Sequence, residues 1–150
     1  MDEKTNVMRI LDQKKIKYNS YYYGDTGAIS GVEVAEVLKQ NFEQVFKTLV
    51  TVGHSKKYYV FMIPVDKELD LKKASIVVGE KSVSMLPSKE LLNLTGYIHG
   101  GCSPIGMKKQ FPVIIDISAQ QFSTIIFSAG KIGYQVEVSV LDLEEKMHYF

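Results

Sequence analysis

The order of apolar and polar positions along the 150-residue chain predicts short strands that alternate with short helices. Runs rich in β-branched and aromatic residues predict strands over residues 16–23, 44–52, 58–63, 83–86, 113–117, 124–127 and 135–140. Helical spacing and helix-start residues predict helices over residues 4–14, 30–39, 70–78, 88–96 and 142–147. Because no repeat or linker interrupts this pattern, we expect a single domain over residues 1–150.

Local signals define several ends of these elements and the way in which they connect. Ser30, followed three residues later by Glu33, has the form of a capping box. Ser88 is predicted to cap a later helix, and Gly79 and Gly96 are predicted to end helices. Short links such as residues 53–56 join successive strands and favour antiparallel pairing. The expected fold class is α+β, a mixed and largely antiparallel sheet with surrounding helices, in which a closed or bent barrel is one possible form.

Composition and charge exclude several classes of function. The net charge of +1 gives no overall field that would attract nucleic acid. Lysine pairs such as Lys14-Lys15 and Lys108-Lys109 are typical of solvated surfaces, although pairs that converge on one rim could bind phosphate. The amino terminus lacks the apolar stretch of a signal peptide, so we expect a cytoplasmic protein with no membrane partner. The single cysteine, Cys102, excludes an internal disulfide and a multi-cysteine zinc site; we expect no metal and no cofactor.

Lys47 is a cation within an otherwise apolar strand. It shares a strand face with Val45 and Leu49. It could be an edge-strand lysine in water, or it could project into a cleft and hold an anion or a carbonyl. A Schiff-base role is a third possibility, but the groups that would support it are not identifiable.

The segment from residue 97 to 116 contains a loop that is richer in glycine than a hairpin requires. Gly100 and Gly101 can adopt positive φ and bring main chain close to a ligand, while Pro104 stiffens the loop and makes Ser103 extended. Main-chain N–H groups held in this way could face a carbonyl or an oxyanion. The alternative is a tight connection between strands. A second turn of small residues, 128–130, could line the same opening.

Cys102 lies in this loop and could be a nucleophile. Such a role requires a base or a cationic neighbour that increases the thiolate fraction. His99 is three residues away, a spacing that is not diagnostic in a loop. We therefore expect Cys102 to be a small loop residue and not a catalytic thiol.

Segments spread along the chain carry a resemblance to a known family. They are the early Thr-Gly region, VFKTLV around Lys47, LDLKKAS from Leu69, GYIHGGCSPIGMKK from Gly96 and FSAGKIGYQVEV from Phe127. In this order they resemble the YbaK family, the free-standing relatives of the editing domain inserted in many bacterial prolyl-tRNA synthetases. Within it, the chain is most similar to the EbsC-like members.

The resemblance implies a barrel-like mixed sheet and hydrolysis of misacylated tRNA, above all cysteine attached to tRNA for proline. The implied partners are the 3′ end of aminoacyl-tRNA and, as a second partner, prolyl-tRNA synthetase. The implied catalytic residues are Lys47 and Gly101. The implied substrate-binding residues are Tyr23, Gly100, Cys102, Ser103, Pro104, Gly106, Ser128 and Gly130. Gln135 stands where some relatives carry aspartate, which leaves its role open.

In the mechanism that the resemblance implies, the thiol of the substrate attacks its own ester carbonyl. The protein then only positions the ester and stabilises charge on the carbonyl oxygen. Two alternatives remain: a non-catalytic regulatory or binding module that retains the pocket, and a thiol enzyme that uses Cys102. The preferred aminoacyl group (cysteine, alanine or serine), the route of tRNA selection and the oligomeric state also remain open.

Overall fold

The computed structural model describes residues 4–147 and 149, and these form an α+β fold. The strands are β1 (Tyr18–Tyr22), β2 (Phe46–Gly53), β3 (Tyr58–Pro64), β4 (Val83–Met85), β5 (Val113–Ile115), β6 (Thr124–Ser128) and β7 (Tyr134–Ser139). The helices are α1 (Asn6–Gln13), α2 (Gly31–Val37), α3 (Leu71–Val78), α4 (Ser88–Thr95) and α5 (Val140–Glu145).

Within the described residues, the strands form two sheets. The three-stranded sheet has the order β1-β7-β6 and the four-stranded sheet the order β4-β2-β3-β5. All pairs are antiparallel except β3 with β5, so the predicted mixed, largely antiparallel arrangement is confirmed. The two sheets meet at an isolated parallel bridge between Val45 and Ile126 and do not close into a barrel. The prediction that the sheet could close into a barrel is therefore wrong.

The main core contains residues of both sheets and of α1. Alternation along β7 directs Tyr134, Val136 and Val138 into this core, where they meet Val7 and Leu11 of α1. The other large side chains that are fully buried include Phe46, Met62, Ile105, Ile125, Phe127 and Leu143. Phe46 and Met62 come from the four-stranded sheet and Ile125 and Phe127 from the three-stranded sheet, so one core holds the two sheets together.

Helix α2 packs over the junction between the two sheets. Ala35 of α2 forms a small buried cluster with Val45, Val65 and Ile126. The cluster includes both residues of the parallel bridge, so α2 is fixed at the point where the sheets meet. This arrangement positions the first turn of α2 beside the strand that carries Lys47.

Both ends of α2 are fixed by hydrogen bonds. The predicted capping box is present: the Glu33 N–H donates to Ser30 Oγ at 3.2 Å, and the Ser30 N–H donates to Glu33 Oε1 at 3.0 Å. Main-chain N–H donors from Ser30 and Ile29 hold the pKa of Glu33 below its ordinary value. At the other end, Lys39 has φ of 55°, and the helix closes through a Gln40 N–H to Ala35 carbonyl bond of 2.8 Å.

Several predicted boundaries differ from the structure, and three of the differences have a local cause. Ser88 is the first residue of α4 and Pro87 occupies the cap position, so no side chain caps this helix. The last helix starts at Val140 and is capped by Ser139. The strand predicted over residues 113–117 ends at Ile115, because the Asp116 side chain accepts the Ser118 N–H and starts a 3₁₀ helix over Ile117–Gln121.

Replacing the cap of α2 is expected to destabilise the fold. Ser30→Ala removes an acceptor for the first helical turn and should lower the free energy of unfolding by about 1 kcal/mol. Chemical denaturation with a constant m-value measures this change. Ser88→Ala is the matched control, because that serine begins a helix without capping it. Equal midpoints for the two variants would contradict the prediction.

Candidate functional site

A cavity of about 590 Å³ lies where the two sheets separate. Beyond the bridge between Val45 and Ile126, β2 and β6 are no longer joined, and residues 45–50 form one wall of the opening. The start of α2 forms another wall through Ile29, Ser30 and Gly31. The volume falls within the roughly 300–1,000 Å³ that is common for small-molecule sites.

Lys47 and Ser128 flank this opening. Lys47 is two residues after Val45, and Ser128 is two residues after Ile126, so the register of the parallel bridge brings them to the same side. Both line the cavity. Lys47 is half-buried, and its side chain forms no hydrogen bond or ion pair with any residue that the structure describes. A partly desolvated cation without a counter-charge is suited to an anion or a polarised carbonyl.

The position of Lys47 combines two interpretations of the sequence. β2 pairs with β3 along residues 46–52, but it pairs with β4 only from Thr51 to Gly53. The part of β2 that carries Lys47 is therefore a local sheet edge, and this edge faces the cavity and not open solvent. The strand edge of the first interpretation is therefore present, but Lys47 lines a cavity, as in the second interpretation, and does not lie in open water.

The three-stranded sheet contributes Tyr23, Ser128 and Gln135 to the cavity. Gln135 pairs with Ser128 on one side and with Tyr21 on the other, so these side chains share a sheet face. Tyr23 follows β1 two residues after Tyr21 and is held by its N–H, which donates to the Gly133 carbonyl at 2.8 Å. The fold thus brings Tyr23, Lys47 and Ser128, all predicted site residues, to one cavity.

The glycine-rich loop reaches the cavity through Gly100 and Cys102. Gly100 has φ of 91°, which favours glycine. The N–H groups of Gly100 and Cys102 have no acceptor among the described residues, whereas that of Gly101 donates to the Ile98 carbonyl at 3.0 Å. Gly101 does not line the cavity; a Cβ there would lie 3.2 Å from the main-chain nitrogen of Ile132. Its structural contribution is close packing between two loops.

Ser103 and Pro104 lie behind the loop and do not line the cavity. Ser103 is fully buried, and its Oγ accepts the Ile105 N–H at 3.4 Å. The Pro104 carbonyl accepts a hydrogen bond of 3.0 Å from the Tyr149 hydroxyl. Any effect of these two residues on substrate would therefore be indirect, through the shape of the loop.

Gly106 and Gly130 also face the core. Both have positive φ, 80° and 87°, and both pack against the ring of Tyr97. A Cβ at Gly106 would lie 2.8 Å from the Tyr97 hydroxyl oxygen, and a Cβ at Gly130 would lie 2.8 Å from a methyl group of Val7. Neither glycine lines the cavity. Their predicted contribution to substrate binding would likewise act through loop shape.

The environment of Cys102 disfavours a role for its thiol as a nucleophile. The side chain is 9% exposed, and burial raises the pKa of its thiol to about 12. His99 lines the same cavity but is exposed and forms no hydrogen bond with the thiol. Because the thiolate is the reactive species, a thiol of this pKa is almost entirely unreactive near neutral pH. This geometry supports the interpretation of Cys102 as a small loop residue.

Sequence reasoning missed the apolar walls of the cavity. They include Ile29, Val34, Val65, Met85, Leu86, Leu91 and Ile132. Two of them, Ile29 and Ile132, are 84% and 53% exposed at the rim. The available signal was an isoleucine within a short segment of small and polar residues, because such a segment does not form part of a core strand or helix.

Two negative findings concern the described ranges 4–147 and 149. No group of three or more histidine, cysteine or acidic side chains there could hold a metal ion. No helix in the same ranges is long and apolar enough to cross a membrane.

The sequence is similar to known editing proteins. Residues 27–146 match the family described as the aminoacyl-tRNA editing domain. The chain is 49% identical over 138 residues to EbsC of Enterococcus faecalis, a proposed Cys-tRNA(Pro)/Cys-tRNA(Cys) deacylase; the match covers 91% of this chain and 84% of EbsC. It is 26% identical over 118 residues to the proline–tRNA ligase of Lactobacillus gasseri, covering 79% of this chain and 21% of the ligase.

Solved structures share the fold. A proposed trans-editing enzyme for prolyl-tRNA synthetase superimposes with a TM-score of 0.82 at 21% identity, covering 99% of this chain and 96% of that chain. A hypothetical protein superimposes with a TM-score of 0.88 at 20% identity, covering 97% and 95%. Together with the sequence match over most of its length, this shared fold leads to one conclusion: the chain belongs to the aminoacyl-tRNA editing domain family.

Proposed function

We propose that this protein is a free-standing aminoacyl-tRNA deacylase that hydrolyses misacylated tRNA in the cytoplasm, with cysteine on tRNA for proline as its main substrate. The observation that carries the proposal is the shared cavity of Lys47, an unpaired and half-buried cation, and the unpaired N–H groups of Gly100 and Cys102. The 49% identity to EbsC supports the choice of substrate.

The chemistry needs only groups that this cavity offers. The substrate sulfur attacks the ester carbonyl carbon, the bond from that carbon to the ribose oxygen breaks, and the ribose oxygen takes up the proton of the thiol. Water then opens the cyclic thioester to free cysteine. The N–H groups of Gly100 and Cys102 stabilise the developing oxyanion, and Lys47 holds the 3′ end of the tRNA beside them.

Selection by size follows from the apolar walls. Side chains such as Val34, Val65 and Leu91 line the cavity and favour a small aminoacyl group. A hydrophobic pocket separates groups that differ by one methylene by only about 10–200-fold. Cysteine, alanine and serine therefore all fit the cavity similarly. Further discrimination comes from the reaction itself, because alanine has no side-chain nucleophile and the hydroxyl of serine is a weaker nucleophile than a thiol.

Prolyl-tRNA synthetase is the proposed partner for tRNA selection. A segment that spans 21% of the L. gasseri proline–tRNA ligase is similar to this chain, so in that ligase a related segment is joined covalently to the synthetase. As a separate chain, this protein would reach the same proximity to the tRNA by docking on the synthetase. Deacylation with and without the synthetase measures this contribution.

Replacing Lys47 is expected to remove most of the activity. Lys47→Met keeps much of the side-chain length but removes the cation, and release of cysteine from Cys-tRNA(Pro) should fall by about 10²–10³-fold, as for other preorganised charge contacts. Lys72→Met is the matched control, because Lys72 is exposed on α3 and does not line the cavity. Equal rates for the two variants would remove Lys47 from the mechanism.

Assays on a panel of aminoacylated tRNAs distinguish the deacylase proposal from the alternative of a non-catalytic binding module. The wild-type protein should release cysteine faster than alanine or serine. Absence of release from every charged tRNA, together with retained tRNA binding, would instead favour the non-catalytic module.

The thiol of Cys102 is expected to react slowly in the folded protein. Its pKa is raised from 9.0 to about 12, so the thiolate fraction at pH 8 is lower by about 10³-fold, and alkylation should slow accordingly. Iodoacetamide labelling followed by mass spectrometry measures the rate, and the denatured protein provides the reference. Rapid labelling of the folded protein with parallel loss of deacylation would support a thiol enzyme.

A further inference from the structure

We infer that Gln135 contacts the substrate as a hydrogen-bond donor and that Gln40 is a positioning residue that fixes the direction of this donor. The inference rests on the proposed function and extends it, because it states which part of the ligand the cavity recognises. The ligand class is an aminoacyl ester that presents an acceptor atom, oxygen or sulfur, toward Gln135.

Gln135 is a buried polar residue with one free donor group. It is 5% exposed, lies in β7 and lines the cavity. Its Oε1 accepts a hydrogen bond of 2.8 Å from Gln40 Nε2. Its own Nε2 donates to no acceptor among the described residues. This nitrogen is not among the described atoms that are both fully enclosed and unpaired. Because Gln135 is otherwise buried and lines the cavity, we place this N–H group toward the cavity.

Gln40 supports Gln135 from outside the cavity. It does not line the opening, and it follows the left-handed residue Lys39 at the end of α2. The main-chain N–H of Gln40 donates to the Ala35 carbonyl at 2.8 Å, so both its main chain and its side chain are held. The contact joins residues 95 positions apart and connects α2 to β7.

The orientation of the Gln40 and Gln135 side-chain amides follows from which atom would be left without a hydrogen bond. Gln40 Oε1 is fully enclosed and has no partner among the described residues. If both amides turned over, Gln135 Nε2 would donate to Gln40 Oε1, and the Gln40 NH₂ group would be enclosed without an acceptor. Enclosed unpaired N–H groups are rarer in proteins than under-satisfied carbonyl oxygens. The observed orientation, with the Gln135 donor toward the cavity, is therefore favoured.

Several other polar groups at the cavity are donors, beside hydroxyl groups such as those of Tyr23 and Ser128, which can donate or accept. Lys47 and the N–H groups of Gly100 and Cys102 are donors, and among the described residues that line the cavity none is aspartate or glutamate. A charged α-ammonium group would find no counter-charge there. The cavity therefore suits a ligand that presents acceptor atoms, and Gln135 adds a donor on β7, beside Ser128.

The test uses isosteric variants and pH. Gln135→Glu replaces the donor with a carboxylate, and kcat/KM for Cys-tRNA(Pro) at pH 8 should fall by about 10-fold or more, the scale of a hydrogen bond to a charged group. As pH falls and this carboxyl becomes protonated, it regains an O–H donor, and the ratio to wild type should recover. Gln135→Met should show a loss that does not vary with pH.

Gln40→Met tests positioning. It leaves Gln135 in place but removes the bond to Oε1, so kcat/KM should fall less than in Gln135→Met. Gln121→Met, an exposed glutamine in the 3₁₀ helix, is the matched control. Thermal unfolding of each variant verifies folding. A Gln135→Glu rate equal to wild type at pH 8, or a loss without recovery at low pH, would overturn the inference.

A binding measurement separates this inference from the proposed function. The probe is adenosine that carries cysteine through a non-hydrolysable 3′ amide, and NMR titration gives its affinity for each variant. If wild type binds the probe and Gln135→Glu binds it about 10-fold more weakly at pH 8 but not at low pH, the donor role holds even when no hydrolysis is seen. If affinity is unchanged in both Gln135 variants, the inference fails while deacylation can still stand.

Discussion

The parallel contact between Val45 and Ile126 is the constraint on which the rest of the structure depends. On one side of this contact the two sheets are joined by hydrogen bonds, including the Ile126 N–H to Gln44 carbonyl bond of 3.0 Å. On the other side they separate, and the gap between them is the cavity. Strand edges that no longer pair would normally be a liability, but here they enclose a site whose walls include Lys47 and Ser128.

Local signals in the sequence predicted most of the elements, because caps and strand alternation act over a few residues. The capping box at Ser30 is present, and Gly79 and Gly96 end their helices with φ of 75° and 87°. The separation of the sheets was not predictable, since it depends on packing of α2 over residues distant in sequence. The 3₁₀ helix over Ile117–Gln121 was missed because the apolar pattern of a strand continues into it.

The candidate site was predicted in part, for physical reasons. Lys47 was identified because a cation in an apolar strand needs an explanation, and its place in the cavity provides one. The glycine-rich loop was identified by composition, but composition cannot show which glycines face the cavity. Gly100 faces it, whereas Gly106 packs against Tyr97. The bond between Gln40 and Gln135 spans 95 positions, and nothing local to either residue indicates it.

The charge of the cavity has a consequence for turnover. Hydrolysis converts a neutral ester into a free amino acid with a carboxylate, and the described lining offers the Lys47 ammonium and no acidic side chain to repel it. Coulomb attraction strengthens in a partly desolvated site, so the product gains an interaction that the ester lacked. For the proposed reaction, this attraction to the carboxylate slows release of the amino acid, so product escape is a step of turnover distinct from bond cleavage.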